Sequence, residues 1–276
     1  MPLEEGEIVG DRFCIERLAG SGGMGAVYRA ADRSTGKPAA IKVMASLKGS
    51  LGERFLREAV VLAELSHPRI VPYVAHGVTE HGLRFLAMDW LEGENLANRL
   101  ARSSLGVDES LLLVRHAAEG LAFAHERGVI HRDVKPSNLF LVGGDPSAVT
   151  VIDFGVARRE GGAAILTRPG TSLGTVGYMA PEQATEATDV DARADVYGLG
   201  CVLFECLTGR APFVGRPASI LVRILREAPP PPSALCPGLT GEVDALLATL
   251  LAKRREDRLA DAREVVRALD DLRARL

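Results

Sequence analysis

His131-Arg132-Asp133-Val134-Lys135-Pro136-Ser137-Asn138, followed at 153–155 by Asp-Phe-Gly, gathers unlike polar groups into a short span. Asp133 is a carboxylate able to accept the proton of a hydroxyl, or at least to orient it. Lys135, two positions on, can neutralise charge on a phosphate. Asn138 and Asp153 supply hard oxygen ligands of the kind Mg²⁺ prefers. Where a metal bridges phosphate oxygens the protein needs few ligands of its own, and electrostatic positioning supplies most of the rate. His131 reads as a packed structural histidine, because the following Asp fills the role of base. The set suits movement of a phosphoryl group from a nucleotide to an alcohol. An ordinary polar loop has no need of these residues in this order.

Upstream, Gly20-Ser21-Gly22-Gly23-Met24-Gly25 fits G-x-G-x-x-G and runs into Ala26-Val27-Tyr28. The spacing alone is shared with dinucleotide folds, where the loop joins a strand to a helix and an acid follows about 20 residues on. Here Val27-Tyr28 continue as a strand, which argues against that fold. A strand–loop–strand lid lets backbone N–H groups approach phosphates with no side chain in the way. Lys42 lies inside the apolar strand Ala39–Val43, and an unpaired buried charge is costly. Glu58, on the amphipathic helix that follows, is the best partner, with Glu53 and Glu64 as rivals. Such a pair would hold Lys42 against the α- and β-phosphates and let the helix gate activity. The plain alternative is that Lys42 snorkels outward and Glu58 is a solvated helix charge.

The elements that must carry these groups follow from periodicity. Residues 1–90 read as strands around one helix: Phe13–Leu18 and Ala26–Ala31 flank the glycine-rich turn, Ala39–Met44 follows the turn at Ser34–Lys37, and strands fit at 70–76 and 83–89. Residues 51–65 have the apolar spacing of a helix, which Pro68 ends. Residues 91–276 turn helical, with helices at Leu111–Arg127, 195–208, 217–226, 242–252 and 261–274, and short strands at 139–142 and 149–152. Residues 153–182 are irregular, and Pro229–Pro232 is a stiff extended connector. The fold class is therefore α+β: a small β-rich lobe with one key helix, then a larger, mainly α-helical lobe. The expected ligand cleft lies at their join.

The 276 residues are 47% hydrophobic and 25% charged, with a net charge of −3, which are globular values with no sign of a nucleic-acid binder. The apolar stretch 191–213 contains Asp195, Glu205 and Arg210, so it reads as a buried core helix and not a membrane segment. Cys14, Cys201, Cys206 and Cys236 show no metal spacing and read as reduced thiols, which favours a cytoplasmic setting.

With these motifs in order, the chain resembles the eukaryotic-type (Hanks-type) protein kinase family, in its bacterial serine/threonine branch. Gly22-Gly23-Met24-Gly25 and Arg57-Glu58-Ala59 carry the branch resemblance, and the whole covers about residues 12–270. The resemblance implies an ATP site built from Leu18 and Ala19, the glycine loop, Val27, Ala40, Lys42, the gatekeeper Met88, the hinge Asp89-Trp90-Leu91 and Phe140. Ala19 stands where this branch often has glycine. The resemblance also implies Mg²⁺, or Mn²⁺ in its place, on Asn138 and Asp153. Phe154 and Gly155 complete the metal-binding motif. Ala180-Pro181-Glu182 would close an activation segment, with Arg258 as the ion partner of Glu182. Asp195 would tie down the catalytic loop. Thr175 would hydrogen-bond Asp133 and Lys135, and with Lys135 it points to Ser/Thr substrates.

Residues 156–176 also hold Thr167, Thr171 and Ser172, with Arg132 and Arg158 able to receive a phosphate. Autophosphorylation at Thr167 or Thr171, between two copies in a homodimer, is the expected control. Partners are then ATP and protein substrates. Two rival readings are a pseudokinase scaffold, which loss of Lys42, Asp133 or Asp153 would have signalled, and a small-molecule phosphotransferase, against which the Ala-Pro-Glu segment speaks.

Overall fold

The computed structural model describes residues 3–22, 25–44, 59–154, 176–185 and 189–276. The chain divides into two compact units, Met1–Glu92 and Gly93–Leu276.

The first unit is built on an antiparallel sheet whose strands are ordered β1-β2-β3-β4-β6-β5. They are β1 (Ile8–Val9), β2 (Phe13–Gly22), β3 (Gly25–Asp32), β4 (Pro38–Met44), β5 (Tyr73–Val78) and β6 (Arg84–Asp89). Alternation along the strands sorts side chains onto two faces. Tyr28, Ala30, Ala39, Ile41, Val43, Phe85 and Ala87 join Phe13 and Ile15 in one core cluster. The pairings Val27↔Lys42, Ala40↔Met88 and Lys42↔Leu86 put those five residues on the opposite face. The sheet thus turns one face to its own core and carries Lys42 on the other.

The β3–β4 turn is fixed by Asp32, whose carboxylate accepts from Nε and Nη2 of Arg12 at 2.8 and 2.7 Å and from the hydroxyls of Ser34 and Thr35. The Arg12 hydrogen bond holds the Asp32 carboxyl far below its ordinary range, against the opposing effect of burial. Residues 59–63 are helical, the end of the helix read from 51–65.

The second unit opens on a small antiparallel sheet, β7 (Gly93–Asn95), β8 (Leu139–Val142) and β9 (Val149–Val151). Its helices are α1 (Leu96–Leu100), α2 (Val107–His125), α3 (Pro181–Ala184), α4 (Arg193–Thr208), α5 (Pro217–Arg226), α6 (Gly241–Leu250) and α7 (Ala262–Arg273). Helix α2 starts at Val107, before the Leu111 that periodicity suggests. Its first turn is polar, with Asp108 and Glu109 favourable near the helix N-terminus and Ser110 bonding back to Gly106. Helix α4 is buried almost throughout, from Ala194 to Phe204 and at Cys206 and Leu207, as a central helix of a large core must be. Gly209 ends it in the left-handed conformation at φ 73°. Among the described residues no helix is long and apolar enough to cross a membrane.

Candidate functional site

In the first unit the glycine-rich hairpin is the tip of β2 and β3, with Gly20↔Val27, Ser21↔Ala26 and Gly22↔Gly25 in register. Its glycines differ in what they answer to. At Gly25, φ is +141° and a Cβ would lie 2.0 Å from the Val43 carbonyl oxygen, so the fold itself demands glycine. At Gly20 and Gly22 a Cβ would meet nothing within 4 Å and no positive φ is required. Among the described residues nothing requires those two to be bare. Val27, Ala40 and Lys42 are half-buried on the face away from the core. Met88 is 8% exposed at the end of β6, and the Asp89 amide donates to the Pro72 carbonyl at 2.9 Å. Trp90 follows with its Nε1–H on Glu92 at 2.8 Å, and the guanidiniums of Arg17 and Arg29 lie 5.3 and 5.7 Å from its ring centre.

In the second unit the 131–138 segment is a densely tied loop. Lys135 Nζ lies 2.9 Å from Asp133 Oδ2. Asn138 donates its amide N–H groups to the Asp133 carbonyl at 2.8 Å and to Asp133 Oδ2 at 3.1 Å. Both donors of Asn138 are thereby used, and what remains to offer a cation is its amide oxygen. The Ile152 amide donates to the Asn138 carbonyl, and Leu139 pairs with Val151, so Asp153 is held beside Asn138 by the register of β8 and β9. One amide oxygen and one carboxylate make a hard donor pair that fits a divalent cation completing its shell with phosphate and water oxygens.

Arg132 and Asp153 both have positive φ, 64° and 58°, unfavourable for residues with side chains. Asp195, at the start of α4 and 1% exposed, holds the loop in that shape. Its carboxylate accepts from the His131 amide at 2.8 Å, the Arg132 amide at 2.7 Å and His125 Nε2 at 2.8 Å. Burial pushes the Asp195 carboxyl up, but the hydrogen bonds from His125 and from the His131 backbone amide outweigh it, so the carboxyl sits below its ordinary value. Nδ1 of His125 accepts from the Ala262 amide at 3.3 Å, which leaves Nε2 carrying the proton. His131 is fully buried, accepts from the Asp133 amide on Nδ1 at 3.2 Å and donates from Nε2 to the Ile152 carbonyl at 2.9 Å. With both nitrogens engaged and the Phe154 ring 4.8 Å away, it is packed structure. Gly198 of α4 presses on the same loop, where a Cβ would lie 2.7 Å from that of Val134.

Downstream, Arg258 uses all its N–H groups. Two meet Glu182 at 2.7 and 2.9 Å, and the others meet the carbonyls of Ala252, Arg193 and Lys253. Tyr178 donates its hydroxyl to Glu205 of α4.

The sequence model of the protein kinase domain family matches residues 13–268. The chain belongs to the protein kinase family. Serine/threonine-protein kinase PknJ of Mycobacterium tuberculosis is 40% identical over 265 residues, covering 93% of this chain and 44% of that protein. Serine/threonine-protein kinase PknB of Mycobacterium leprae is 37% identical over 263 residues, covering 92% of this chain and 42% of that protein. The chain therefore spans less than half the length of these curated relatives. Among solved structures, the kinase domain of Mycobacterium tuberculosis PknI matches with a TM-score of 0.78 and 30% identity, covering 98% of this chain and 99% of that one. Rad53 residues 1–466, solved with AMP-PNP, matches with a TM-score of 0.75 and 25% identity, covering 92% of this chain and 64% of that one. The fold is the α+β protein kinase fold.

Within this kinase domain the structure brings together Asp133, Lys135, Asn138 and, through strand register, Asp153; Glu182 with Arg258; and Arg132 with Asp195. It places Val27, Ala40, Lys42 and Met88 on one sheet face. Leu18 is exposed on β2, Ala19 and Ser21 follow in the same strand, Leu91 is half-buried after Trp90, and Phe140 is half-buried in β8. Gly23, Met24, Glu58, Gly155, Arg158, Thr167, Thr171, Ser172 and Thr175 lie outside the described residues. Sequence reasoning missed His125, Gln183 and Gly198. The first two act through partners 70 and 51 residues away, a relation that no local pattern carries.

Proposed function

We propose that this kinase domain transfers the γ-phosphoryl group of ATP to Ser/Thr hydroxyls of proteins, with Mg²⁺. The observation that carries the reading is the Asp133 carboxylate held between Lys135 at 2.9 Å and Asn138 at 3.1 Å. Held so, Asp133 orients a substrate hydroxyl and takes its proton as the oxygen attacks. Lys135 neutralises charge on the transferring group. Asn138 and Asp153 would hold the metal, which would supply Lewis-acid charge neutralisation at the phosphates. In the first unit, bare backbone at Gly20 and Gly22 accepts phosphates, Lys42 pairs with them, and Val27, Ala40, Met88 and the 89–91 backbone hold the adenine end. The names of the curated relatives and the AMP-PNP bound to Rad53 support the same reading.

The test is transfer of labelled γ-phosphate from ATP and Mg²⁺ to a generic basic protein and to the chain itself, with Asp133→Asn alongside. Transfer to Ser/Thr that the variant loses supports the reading. Absence of transfer from ATP-binding protein favours the pseudokinase instead. Autophosphorylation between two copies at Thr167, Thr171 or Ser172, with Arg132 and Arg158 receiving the phosphate, belongs to the same proposal. Phosphopeptide mapping that finds no phosphate between 160 and 175 in active protein sinks that part.

A further inference from the structure

Gln183 occupies the third position of the short helix α3, directly after Glu182. Its Oε1 accepts from the Ala180 amide at 2.9 Å, a common way to cap a helix. Capping uses only that half of the amide. The other half, Nε2, reaches out of the helix and donates to the Arg132 carbonyl at 2.9 Å. The orientation is forced. A flipped amide would set N–H against N–H at Ala180 and oxygen against oxygen at Arg132.

The Arg132 carbonyl belongs to the peptide that leads into Asp133. The N–H of that peptide is already bound to His131 Nδ1 at 3.2 Å, and the preceding N–H is bound to Asp195. Arg132 itself has φ +64°, a conformation that persists only where the surroundings over-determine it. Asp195 and His131 hold the donors of this strained step, and Gln183 holds its acceptor.

We propose that Gln183 is a positioning residue for Asp133, clamping the peptide that aims the Asp133 side chain and coupling it to the Ala180–Glu182 segment. The inference rests on the phosphotransfer reading above. If a misplaced catalytic group costs about 100-fold per ångström, loss of the clamp lowers kcat and leaves the KM for ATP nearly unchanged, because among the described residues the Gln183 side chain bonds Ala180 and Arg132, neither of them assigned to the nucleotide. Gln183→Met removes both hydrogen bonds at similar volume. Gln183→Glu keeps the acceptor for Ala180 but sets a carboxylate against the Arg132 carbonyl. Only the protonated acid can restore the donor.

The experiment measures phosphotransfer to a basic protein between pH 5.5 and 8 for wild type, Gln183→Met and Gln183→Glu, with thermal unfolding of each. A kcat lowered about 10- to 100-fold in both variants at pH 8, with KM within about 2-fold, is expected. The ratio of Gln183→Glu to wild type should then rise at least about 5-fold as pH falls and the glutamate protonates, while the Gln183→Met ratio stays flat. A helix cap with no positioning role would change the unfolding temperature and leave no such pH-dependent recovery. Wild-type kcat in the variants, or a Gln183→Glu loss that does not recover at low pH, overturns the inference while wild-type transfer leaves the kinase reading standing. If Gln183→Met does not fold, the pH profile of Gln183→Glu decides alone. Absence of transfer by wild type overturns both.

Discussion

Around Asp133, side chains hold the backbone. Around Gly20 and Gly22, the backbone itself is the surface. The 131–138 loop is tied by its own His131 and Asn138 and by Asp195, His125 and Gln183, drawn from elements far apart in sequence, and Gly198 lets helix α4 press against it. Among the described residues the glycine hairpin shows its strand ladder and, at two of its glycines, open space. The difference teaches where the fold spends its order. On the phosphotransfer reading proposed above, groups that aim at a reacting hydroxyl are fixed by the fold, and groups that would meet phosphates stay open for a ligand to complete.

The largest effect should come from breaking the tied side at its centre. Asp195→Ala leaves the buried His131 amide, the partly buried Arg132 amide and the His125 N–H without their acceptor. A loss of at least about 3 kcal/mol and of at least about 100-fold in phosphotransfer is expected, read by denaturant unfolding and by kcat. Full activity in that variant would mean the loop holds its shape unaided. The next effect separates two kinds of glycine. Gly25→Ala should destabilise the first unit by about 1–3 kcal/mol, because a Cβ collides with the Val43 carbonyl. Gly20→Ala and Gly22→Ala should move stability by under about 0.5 kcal/mol, yet weaken ATP binding in a calorimetric titration. Equal behaviour of all three would erase the distinction.

The β3–β4 turn offers a structural counterpart that is tied as tightly as the loop but has no chemistry. Arg12→Ala should cost about 1–3 kcal/mol at pH 7 and leave kcat unchanged in the folded protein. The Asp32 carboxyl lies far below its ordinary value, so its stabilisation is full above about pH 4, the unfolded value, and fades as pH falls further. The gap between wild type and Arg12→Ala should close in acid. The smallest effect is at Lys253. Its buried Nζ has no hydrogen-bond partner among the described residues, lies 4.4 Å from the Phe213 ring centre, and burial pushes it down to about 8. Between about 8 and the ordinary 10.5 the unfolded chain binds the extra proton, so stability should rise with pH across that window. Lys253→Met should flatten the rise and change stability at pH 7 by under about 1 kcal/mol.

The same contrast governs what the sequence reveals. Asp133, Lys135, Asn138 and Asp153 are legible because their spacing is local and their chemistry is distinctive. The sheet of the first unit is legible because alternation at Ala39–Met44 has one reading. The first turn of α2 is not, since Asp108 and Glu109 look like a loop until the helix N-terminus is seen to favour them. Nor are His125, Gln183 and Gly198, whose roles exist only once distant segments meet. A glutamine after Ala-Pro-Glu looks like any helix residue, and only the Arg132 carbonyl gives its second hydrogen bond a purpose.

The most direct test follows amide hydrogen exchange in one sample with and without ATP analogue and Mg²⁺. The amides of His131 and Arg132, both bound to Asp195, should be protected without nucleotide and change little when it is added. The amides of Gly20 to Gly22 should gain protection on binding. Fast exchange at His131 and Arg132 that slows only with nucleotide, or a glycine hairpin indifferent to it, would contradict a kinase domain whose aiming groups are fixed by the fold and whose phosphate-binding groups are completed by the ligand.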